Sequence, residues 1–351
     1  MIKLFDKYPV VKSCVIILPL LCLCRCSPMI DYSMETVPEE GGIHLTRFTS
    51  DEENAIATAV YHTNNNNSLV WSGNRYLAVS PDGSKLAFVR WVDYKDNIYI
   101  KNTAGGTSAV QRTFRNAVSD ICFSPDSKYI AFSEMVNGFS HIYMMNASEG
   151  SAVQEITSAN NYDDLNPAFS PDGNLIFFSR IEKHINIVNN GQTASYNGNF
   201  SIWSYNLKTG LLTQYDAGFD PSPMSDGKSI LVCRTNKQTG MGEIWMLNTE
   251  TGAVTQILTS PRMGFSNPAI SPDGKKIVCV GSTPATATRP ANLDIYTVNT
   301  DGTSLTQLTF HPASDMCPAW SADGKTIYFI SGRASNAQKY NVWQMGYTKL
   351  M

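Results

Sequence analysis

The sequence has few charged residues and no excess of positive charge. Charged residues make up 16% of its 351 residues, and the formal net charge is −3. A nucleic-acid-binding face needs a dense patch of Lys and Arg, so we expect no nucleic-acid partner. Hydrophobic residues reach 42%, and 24 Gly with 17 Pro suit a domain with a large core and many turns.

The sequence also lacks the motifs of common catalytic and cofactor sites. It has no G-x-S-x-G nucleophile elbow, no H-E-x-x-H zinc motif, no P-loop, no EF-hand loop and no dinucleotide fingerprint. Its histidines are scattered without the spacing of metal ligands: His44, His62, His141, His184 and His311. We therefore predict no cofactor, no metal site and no catalytic residues.

The first 26 residues differ from the rest of the chain. Three lysines precede an apolar run from Cys14 to Cys24. A basic segment followed by about 7–15 apolar residues is typical of a secretory signal peptide, whereas a membrane-spanning helix needs ~20. We predict a signal peptide over residues 1–26, a linker over residues 27–42, and a protein that is periplasmic or associated with the outer membrane.

The cysteines fall into two groups, one in this leader and one in the rest of the chain. A lipidated bacterial cysteine follows a Leu-small-small sequence, but Cys24 follows a Leu and Cys26 follows an Arg. A lipid anchor at Cys24 or Cys26, and cleavage without an anchor, both stay open. For the second group we predict buried free thiols, at Cys122, Cys233, Cys279 and Cys317.

A short turn motif recurs six times after the leader. Most copies read Ser-Pro-Asp-Gly, in which Pro fixes φ, Asp bonds its own backbone and Gly accepts a positive φ. The Asp of each copy is used here as a marker: Asp82, Asp126, Asp172, Asp226, Asp273 and Asp323. Successive markers are 44, 46, 54, 47 and 50 residues apart. A period in the forties with strand-like segments is typical of β-propeller blades.

Each marker is followed by a strand-like segment that is apolar on both faces. In the first copy this segment is Leu86, Ala87 and Phe88, and the two outer residues share one face because side chains alternate along a strand. A strand covered on both faces fits blades stacked around an axis. A segment before the marker and two later segments, such as Ile98-Tyr99, bring each repeat to four strands.

These features resemble the TolB-like, or PD40, propeller repeat, a relative of the WD40 blade, over roughly residues 43–348. The resemblance implies an all-β fold: a six-bladed β-propeller of four-stranded antiparallel blades, which we assign to residues 43–351. It also implies that the protein works by binding a partner. We expect an envelope protein, peptide or glycan as the partner, and a monomeric propeller.

The last repeat has no outer strand after Val342-Trp343, and residues 43–49 look like that missing strand. An N-terminal strand that pairs with the last blade closes the ring and leaves no unpaired edge. Ser50 followed three residues later by Glu53 forms a capping-box pattern. We therefore predict a short helix over residues 51–62 that lies over one mouth of the propeller.

Acidic and amide residues recur six positions before the marker, where the innermost strand begins. Propeller symmetry predicts that these side chains surround one mouth of the channel and offer acceptors to a cation, an amine or a peptide. They are Asp120, Asn166, Asp220, Asn267 and, two residues earlier in its repeat, Asp315. Alternatively, these residues cap the turn that enters the strand, or pair with Arg180 and Arg234 at the end of the neighbouring strand.

The segment between the second and third strands varies most in length among the repeats. The third and fifth repeats carry insertions, over residues 181–200 and 281–292. A rigid scaffold with elaborated loops on one face is typical of a recognition protein. We predict an exported, non-catalytic propeller that binds through its loop-rich face and channel mouth. The alternative is a polysaccharide lyase, or another hydrolytic or lytic enzyme, with a metal at that mouth, which needs several converging histidines.

Overall fold

The computed structural model describes residues 39–40, 42–50, 53, 55, 60–63, 69–72, 74–115, 117–150, 152–188, 191–285, 291–333 and 340–347. The predicted signal peptide and most of the predicted linker lie outside these residues. Apart from a 3-10 turn at Glu53, the regular structure of the described residues consists of β-strands. None of it is a helix long and apolar enough to cross a membrane.

Four short strands precede the first blade. β1 (Glu39–Glu40) pairs with β2 (Ile43–Arg47), and β3 (Val60–Thr63) pairs with β4 (Leu69–Ser72) in a hairpin of its own. The C-terminal end of the segment predicted as linker is therefore part of a sheet.

The helix predicted over residues 51–62 is wrong in the part that the structure describes. The backbone N–H of Ala55 donates to the carbonyl oxygen of Tyr340 at 2.9 Å, which bridges this segment to the last blade. From Val60 the chain forms a strand, in agreement with the β preference of its valine, tyrosine and threonine. Residues 51, 52, 54 and 56–59 lie outside the described residues.

The rest of the chain forms six successive antiparallel sheets, the blades, each counted outward from its innermost strand. Blade 1 contains β5 (Leu77–Val79), β6 (Lys85–Val92), β7 (Lys95–Asn102) and β8 (Val110–Gln111). Blade 2 contains β9 (Val118–Phe123), β10 (Tyr129–Val136), β11 (Phe139–Asn146) and β12 (Gln154–Glu155). Blade 3 contains β13 (Tyr162–Phe169), β14 (Leu175–Val188), β15 (Gly191–Asn206) and β16 (Leu212–Ala217). Blades 4 and 5 contain β17 (Phe219–Pro223), β18 (Ser229–Thr235), β19 (Gly242–Asn248), β20 (Val254–Leu258); and β21 (Gly264–Ile270), β22 (Lys276–Thr283), β23 (Asn292–Asn299), β24 (Thr306–Gln307). Blade 6 contains β25 (Asp315–Trp320), β26 (Thr326–Ser331) and β27 (Asn341–Gly346).

The innermost strands surround a central channel. Each of them contacts the innermost strand of the next blade, and β25 of blade 6 contacts β5 of blade 1, so the ring is closed. The predicted six-bladed all-β propeller is therefore confirmed. All innermost strands run in the same direction, from what we call the loop-rich end of the channel to the marker turns at the other end.

The N-terminal strand completes blade 6, as predicted. β2 pairs with β27, with Leu45 opposite Met345 and Arg47 opposite Trp343, and β1 adds a fifth strand outside it. Beyond β2, the hydroxyl of Thr49 accepts a hydrogen bond from the backbone N–H of Val342 at 3.0 Å. The closing strand thus joins residues that are almost 300 positions apart in the sequence.

The hydrophobic core lies between the blades, where the second strands are covered on both faces. Leu86, Ala87 and Phe88 of blade 1 are fully buried, and their equivalents in the other blades are at most 6% exposed. One cluster joins Val280 of blade 5 to Phe329 of blade 6. Burial on both faces explains why these strands read as continuous apolar segments.

The marker turns connect the first and second strands of each blade. In blade 1 the carboxylate of Asp82 accepts hydrogen bonds from the hydroxyl of Ser80 at 2.6 Å and from the backbone N–H of Ser84 at 2.9 Å. The hydrogen bond from Ser80 is the largest of the effects that lower the pKa of Asp82. The repeated Ser and Asp are therefore explained by the local geometry of the turn.

Candidate functional site

Most innermost strands contain a β-bulge, and the bulge places one residue in the left-handed backbone region. In blade 3 the pairing register with β14 shifts between Leu165 and Ala168, and Asn166 has φ 53°. The equivalent residues have φ between 46° and 56°: Asp120, Asp220, Asn267 and Cys317. Asn and Asp tolerate this backbone better than most residues do. Backbone geometry is therefore one reason for the recurrence of Asp and Asn six positions before the marker.

The structure brings four of the predicted ring residues together inside the channel. The side-chain amide of Asn166 donates to Asp120 at 3.1 Å, and that of Asn267 donates to Asp220 at 3.1 Å. Ser179 links the two pairs, because its hydroxyl donates to Asn166 at 3.0 Å and accepts from the backbone N–H of Asp220 at 2.8 Å. All four ring residues are buried, with at most 5% exposure.

A residue that we did not predict, Arg75, supplies the cation of this network. Its backbone N–H donates to Asp120 at 2.8 Å, and its Nε donates to Asp220 at 2.5 Å. Its Nη2 donates to the backbone carbonyl of Pro268 at 2.9 Å. Arg75 immediately precedes the first blade, whereas Asp220 belongs to blade 4 on the opposite side of the ring. The side chain therefore crosses the channel.

Burial and charge act against each other in this network. Burial raises the pKa of Asp120 to about 6, although hydrogen bonds from Arg75 and other groups oppose the rise. Burial also raises the pKa of Asp220, against the stabilising charge of Arg75. Burial alone lowers the pKa of Arg75, but the neighbouring carboxylate of Asp220 outweighs it, and the pKa of Arg75 is raised. The guanidinium therefore stays charged.

The other predicted ring residue, Asp315, forms an ion pair with Arg333. Both side chains of this pair are buried. The predicted partners of the ring also bind elsewhere: Arg180 contacts Asp164 at 2.6 and 2.8 Å, and Arg234 contacts Asp216 at 3.0 Å. The alternative in which Arg180 and Arg234 neutralise the ring is therefore wrong.

The channel contains a cavity of about 490 Å³ between Arg75 and the marker turns. Its wall is formed by the innermost strands, and its rim by turn residues that include the exposed Pro81, Pro171 and Pro272. The cavity therefore lies at the end of the channel opposite the loop-rich end. The binding mouth was predicted at the loop-rich end.

At the loop-rich end, the insertion of the third repeat forms an extended hairpin. β14 and β15 remain paired from Glu182–Asn197 to Val188–Gly191. A buried ion pair between Lys183 and Asp163 at 2.8 Å lies at its base. The length of the insertion indicated an elaborated segment, but the sequence did not indicate that its two halves pair as strands.

The loop-rich end also exposes large aromatic side chains. Trp91 is 53% exposed, Tyr94 is 87% exposed and Phe114 is 83% exposed. The rings of Trp91 and Tyr94 contact each other edge to face, with centroids 5.5 Å apart. Asp93 and Tyr94 form the turn between β6 and β7, with φ of 51° and 63°. We call Trp91, Tyr94 and Phe114 the aromatic patch.

The histidines whose side chains the structure describes belong to different parts of the ring. His141 and His311 are buried in different blades, and His184 lies on the hairpin of blade 3, where it contacts Glu182 at 3.2 Å. Among the residues that the structure describes, no group of three or more His, Cys, Asp or Glu side chains could hold a metal ion.

Together, the six blades, the marker turns and the N-terminal closing strand define a six-bladed β-propeller of the TolB type. The chain matches the PD40 family, described as the TolB beta propeller domain, over residues 45–237 and 219–348, and it belongs to that family.

Solved structures with the same fold have different functions. A putative TolB from Agrobacterium tumefaciens is similar with a TM-score of 0.55 and 20% identity, covering 82% of this chain and 98% of that one. An oligogalacturonate lyase from Vibrio parahaemolyticus is similar with a TM-score of 0.54 and 14% identity, covering 87% of this chain and 94% of that one. At these identities the likeness shows the fold alone.

A curated relative matches only a short part of the chain. Dipeptidyl-peptidase 5 from Porphyromonas gingivalis is 41% identical over 73 residues, which are 21% of this chain and 11% of that protein. The matched segment therefore spans about a tenth of the length of this relative.

Proposed function

We propose that this protein is an exported, non-catalytic propeller that binds an envelope protein, peptide or glycan through its loop-rich end. The observation that carries the proposal is the aromatic patch, in which three large aromatic side chains are exposed at this end. Trp and Tyr are enriched among the residues that dominate binding energy in interfaces. Contiguous exposed apolar surface marks interaction sites, and the rings of Trp91 and Tyr94 contact each other.

The backbone at Tyr94 supports a functional role for its ring. Two-residue hairpin turns with positive φ at both positions favour Asn-Gly or Asp-Gly, because most side chains are strained there. Tyr94 has φ 63° and therefore costs roughly 1–2 kcal/mol relative to Gly. A strained residue that adds nothing to the buried core is typical of a binding site.

The polar network inside the channel supports a binding function over a catalytic one. The acceptors of Asp120 and Asp220 already receive hydrogen bonds from Arg75 and from the neighbouring amides. A catalytic acid or base must reach a substrate proton, and these carboxyl groups are at most 1% exposed. We therefore assign the ring a structural role and place partner recognition on the surface around it.

The test compares partner capture by matched variants of the full-length chain. Trp91→Ala and Tyr94→Asn remove the two rings that contact each other, and Asn also suits the left-handed backbone of position 94. Tyr129→Ala and Leu211→Ala are controls, because these residues are 41% and 63% exposed at the opposite end of the blades. Each immobilised protein is incubated with solubilised envelope from the native host, and bound partners are quantified by mass spectrometry.

We expect the specific partner of the wild type to be retained by both controls and reduced at least tenfold by the two patch variants. We also expect Tyr94→Asn to unfold at higher urea concentration than the wild type, so that lost binding cannot be ascribed to misfolding. Capture that depends on Tyr129 or Leu211 instead contradicts the proposed face. Release of fragments from a panel of polysaccharides, with or without divalent cations, favours the lyase alternative.

Export is a separate part of the proposal. We expect residues 1–30 to carry a reporter protein across the inner membrane, since they contain the basic and apolar segments of a signal peptide. Retention of the reporter in the cytoplasm contradicts export. Mass spectrometry of the mature N-terminus then distinguishes a lipid anchor at Cys24 or Cys26 from cleavage alone.

A further inference from the structure

The cavity in the channel lies at the end opposite the loop-rich end. Its volume of about 490 Å³ lies within the range of about 300–1,000 Å³ that is typical of small-molecule sites. The aromatic patch does not contribute to its wall. The cavity can therefore have a ligand of its own, independent of the partner proposed above.

The wall of the cavity is mainly apolar. Leu77, Val79, Ile121, Phe169, Ile270 and Trp320 contribute to it. Burying the apolar part of a ligand against such side chains removes apolar surface from water, which stabilises the complex. The narrow wall of innermost strands favours a slim apolar body.

Arg75 is the one charged residue among the described residues that line the cavity. Its Nε and Nη2 donate to Asp220 and to the carbonyl of Pro268, whereas Nη1 donates to none of the described residues. The Arg75 side chain keeps 18% exposure, although it lies within the channel. A donor with a positive charge is therefore available at the inner end of an apolar cavity.

We propose that this cavity binds a monocarboxylate with a slim apolar body, and that the carboxylate accepts a hydrogen bond from Nη1 of Arg75. The apolar body lies along the innermost strands and extends towards the marker turns. The carboxylate end of a small aliphatic acid and the C-terminus of a peptide share this chemistry.

The acids of the network do not favour a cation at this position. Asp120 and Asp220 do not line the cavity, and both oxygens of Asp220 accept hydrogen bonds, from Arg75 and from Asn267. Among the described residues that line the cavity, a ligand therefore meets the guanidinium of Arg75 and no carboxylate. Charge-assisted hydrogen bonds between a guanidinium and a carboxylate are about twice as strong as neutral ones.

The first experiment uses the wild-type full-length chain and two ligands that differ only in the head group. Octanoate and octanamide are titrated by calorimetry. We expect saturable binding of octanoate with a stoichiometry of one, and at least tenfold weaker binding of octanamide. Equal binding of the two ligands, or no saturable binding of octanoate, overturns the proposal.

Two variants test whether octanoate binds in this cavity. Ala78→Leu adds bulk to the wall, and we expect it to abolish octanoate binding while the fold is kept. Arg75→Met combined with Asp220→Asn removes the pair without leaving one buried charge alone, and we expect octanoate to bind no more tightly than octanamide. Ala322→Ser, at the rim, is the matched control with expected wild-type affinity. Octanoate binding that survives Ala78→Leu overturns the assignment to this cavity.

A last comparison distinguishes the two sources of the carboxylate. The acetylated tripeptide Ala-Ala-Leu is titrated with a free and with an amidated C-terminus. Tighter binding of the free peptide than of octanoate supports a peptide C-terminus, and tighter binding of octanoate supports a small aliphatic acid. Failure of all carboxylates overturns this proposal and leaves the capture experiment at the aromatic patch unaffected.

Discussion

At the scale of single residues, Arg75 joins opposite sides of the channel through its hydrogen bonds to Asp120 and Asp220. It occupies the position seven residues before the marker, where the other blades have uncharged residues: Ser119, Leu165, Phe219, Ser266 and Met316. A search for features that recur in every repeat cannot find a residue that occurs once. The signal that could have found it is a lone charge at a position that is otherwise uncharged.

The buried Asp120 carboxyl group predicts a pH dependence of stability. Its pKa in the folded protein is raised to about 6 by burial, against 3.8 for the ordinary group. The folded state therefore holds this proton more tightly than the unfolded state, and the contribution to stability is complete below pH ~4 and lost as pH rises to ~6. At about 1.4 kcal/mol per pKa unit, the loss is roughly 3 kcal/mol.

We expect Asp120→Asn to be more stable than the wild type above pH 6 and to lose less stability between pH 4 and 6. Asn keeps an acceptor for the backbone N–H of Arg75 and tolerates the φ of 49° at this position. Urea unfolding at a series of pH values measures the effect. Asp93→Asn, in an exposed turn with φ 51°, is the control, and a parallel change in both variants contradicts the assignment to Asp120.

At the scale of structural elements, neighbouring blades approach each other closely at some turns between third and fourth strands. Gly302 and Gly252 lie in such turns in adjacent blades, with φ of 83° and 72°. A Cβ at Gly302 would lie 2.4 Å from the carbonyl oxygen of Ile257 in the neighbouring blade, whereas a Cβ at Gly252 would have open space.

We therefore expect Gly252→Ala to cost about 1 kcal/mol, for the left-handed backbone alone. Gly302→Ala carries the same cost and also overlaps a backbone atom that cannot move without shifting β20, which adds roughly 1–3 kcal/mol. Urea unfolding of the two variants measures the difference. Equal losses of stability in the two variants would contradict the expected overlap, because they would show that the two blades can move apart at this contact without cost.

An element can be predicted from the sequence when the residues that determine it are close together along the chain. The marker turns and the two-faced second strands were predicted because Asp82 and its neighbours satisfy each other within a few residues. The helix over residues 51–62 was wrong because Ala55 pairs with Tyr340, a partner far away in the sequence. Similarly, no local pattern indicated that Arg75 reaches Asp220 across the channel.

At the scale of the whole molecule, stability depends on how the ring is closed. Blade 6 packs against blade 5 in one hydrophobic cluster, and Tyr328, Ile330 and Val342 of blade 6 pack with blade 1 in another. The closing strand β2 covers the outer edge of this blade. Detaching β2 therefore exposes an unpaired edge and weakens the contact of blade 6 with its neighbours.

The two faces of β2 offer a matched pair of substitutions. Leu45 is 3% exposed and belongs to the cluster between blades 5 and 6, whereas Thr46 is exposed on the opposite face of the same strand. We expect Leu45→Asp to cost at least about 3 kcal/mol, because it removes a core side chain and buries a charge. We expect Thr46→Asp to cost less than about 1 kcal/mol.

Urea unfolding measures the cost, and limited digestion with trypsin reports whether β2 detaches, because Arg47 lies within the paired strand. Since β2 closes the ring, the loss in Leu45→Asp should lower the midpoint of the whole transition and speed cleavage after Arg47. If both variants unfold alike, or if Leu45→Asp only speeds cleavage while the midpoint stays unchanged, the N-terminal strand is an attachment to the propeller and not its closure.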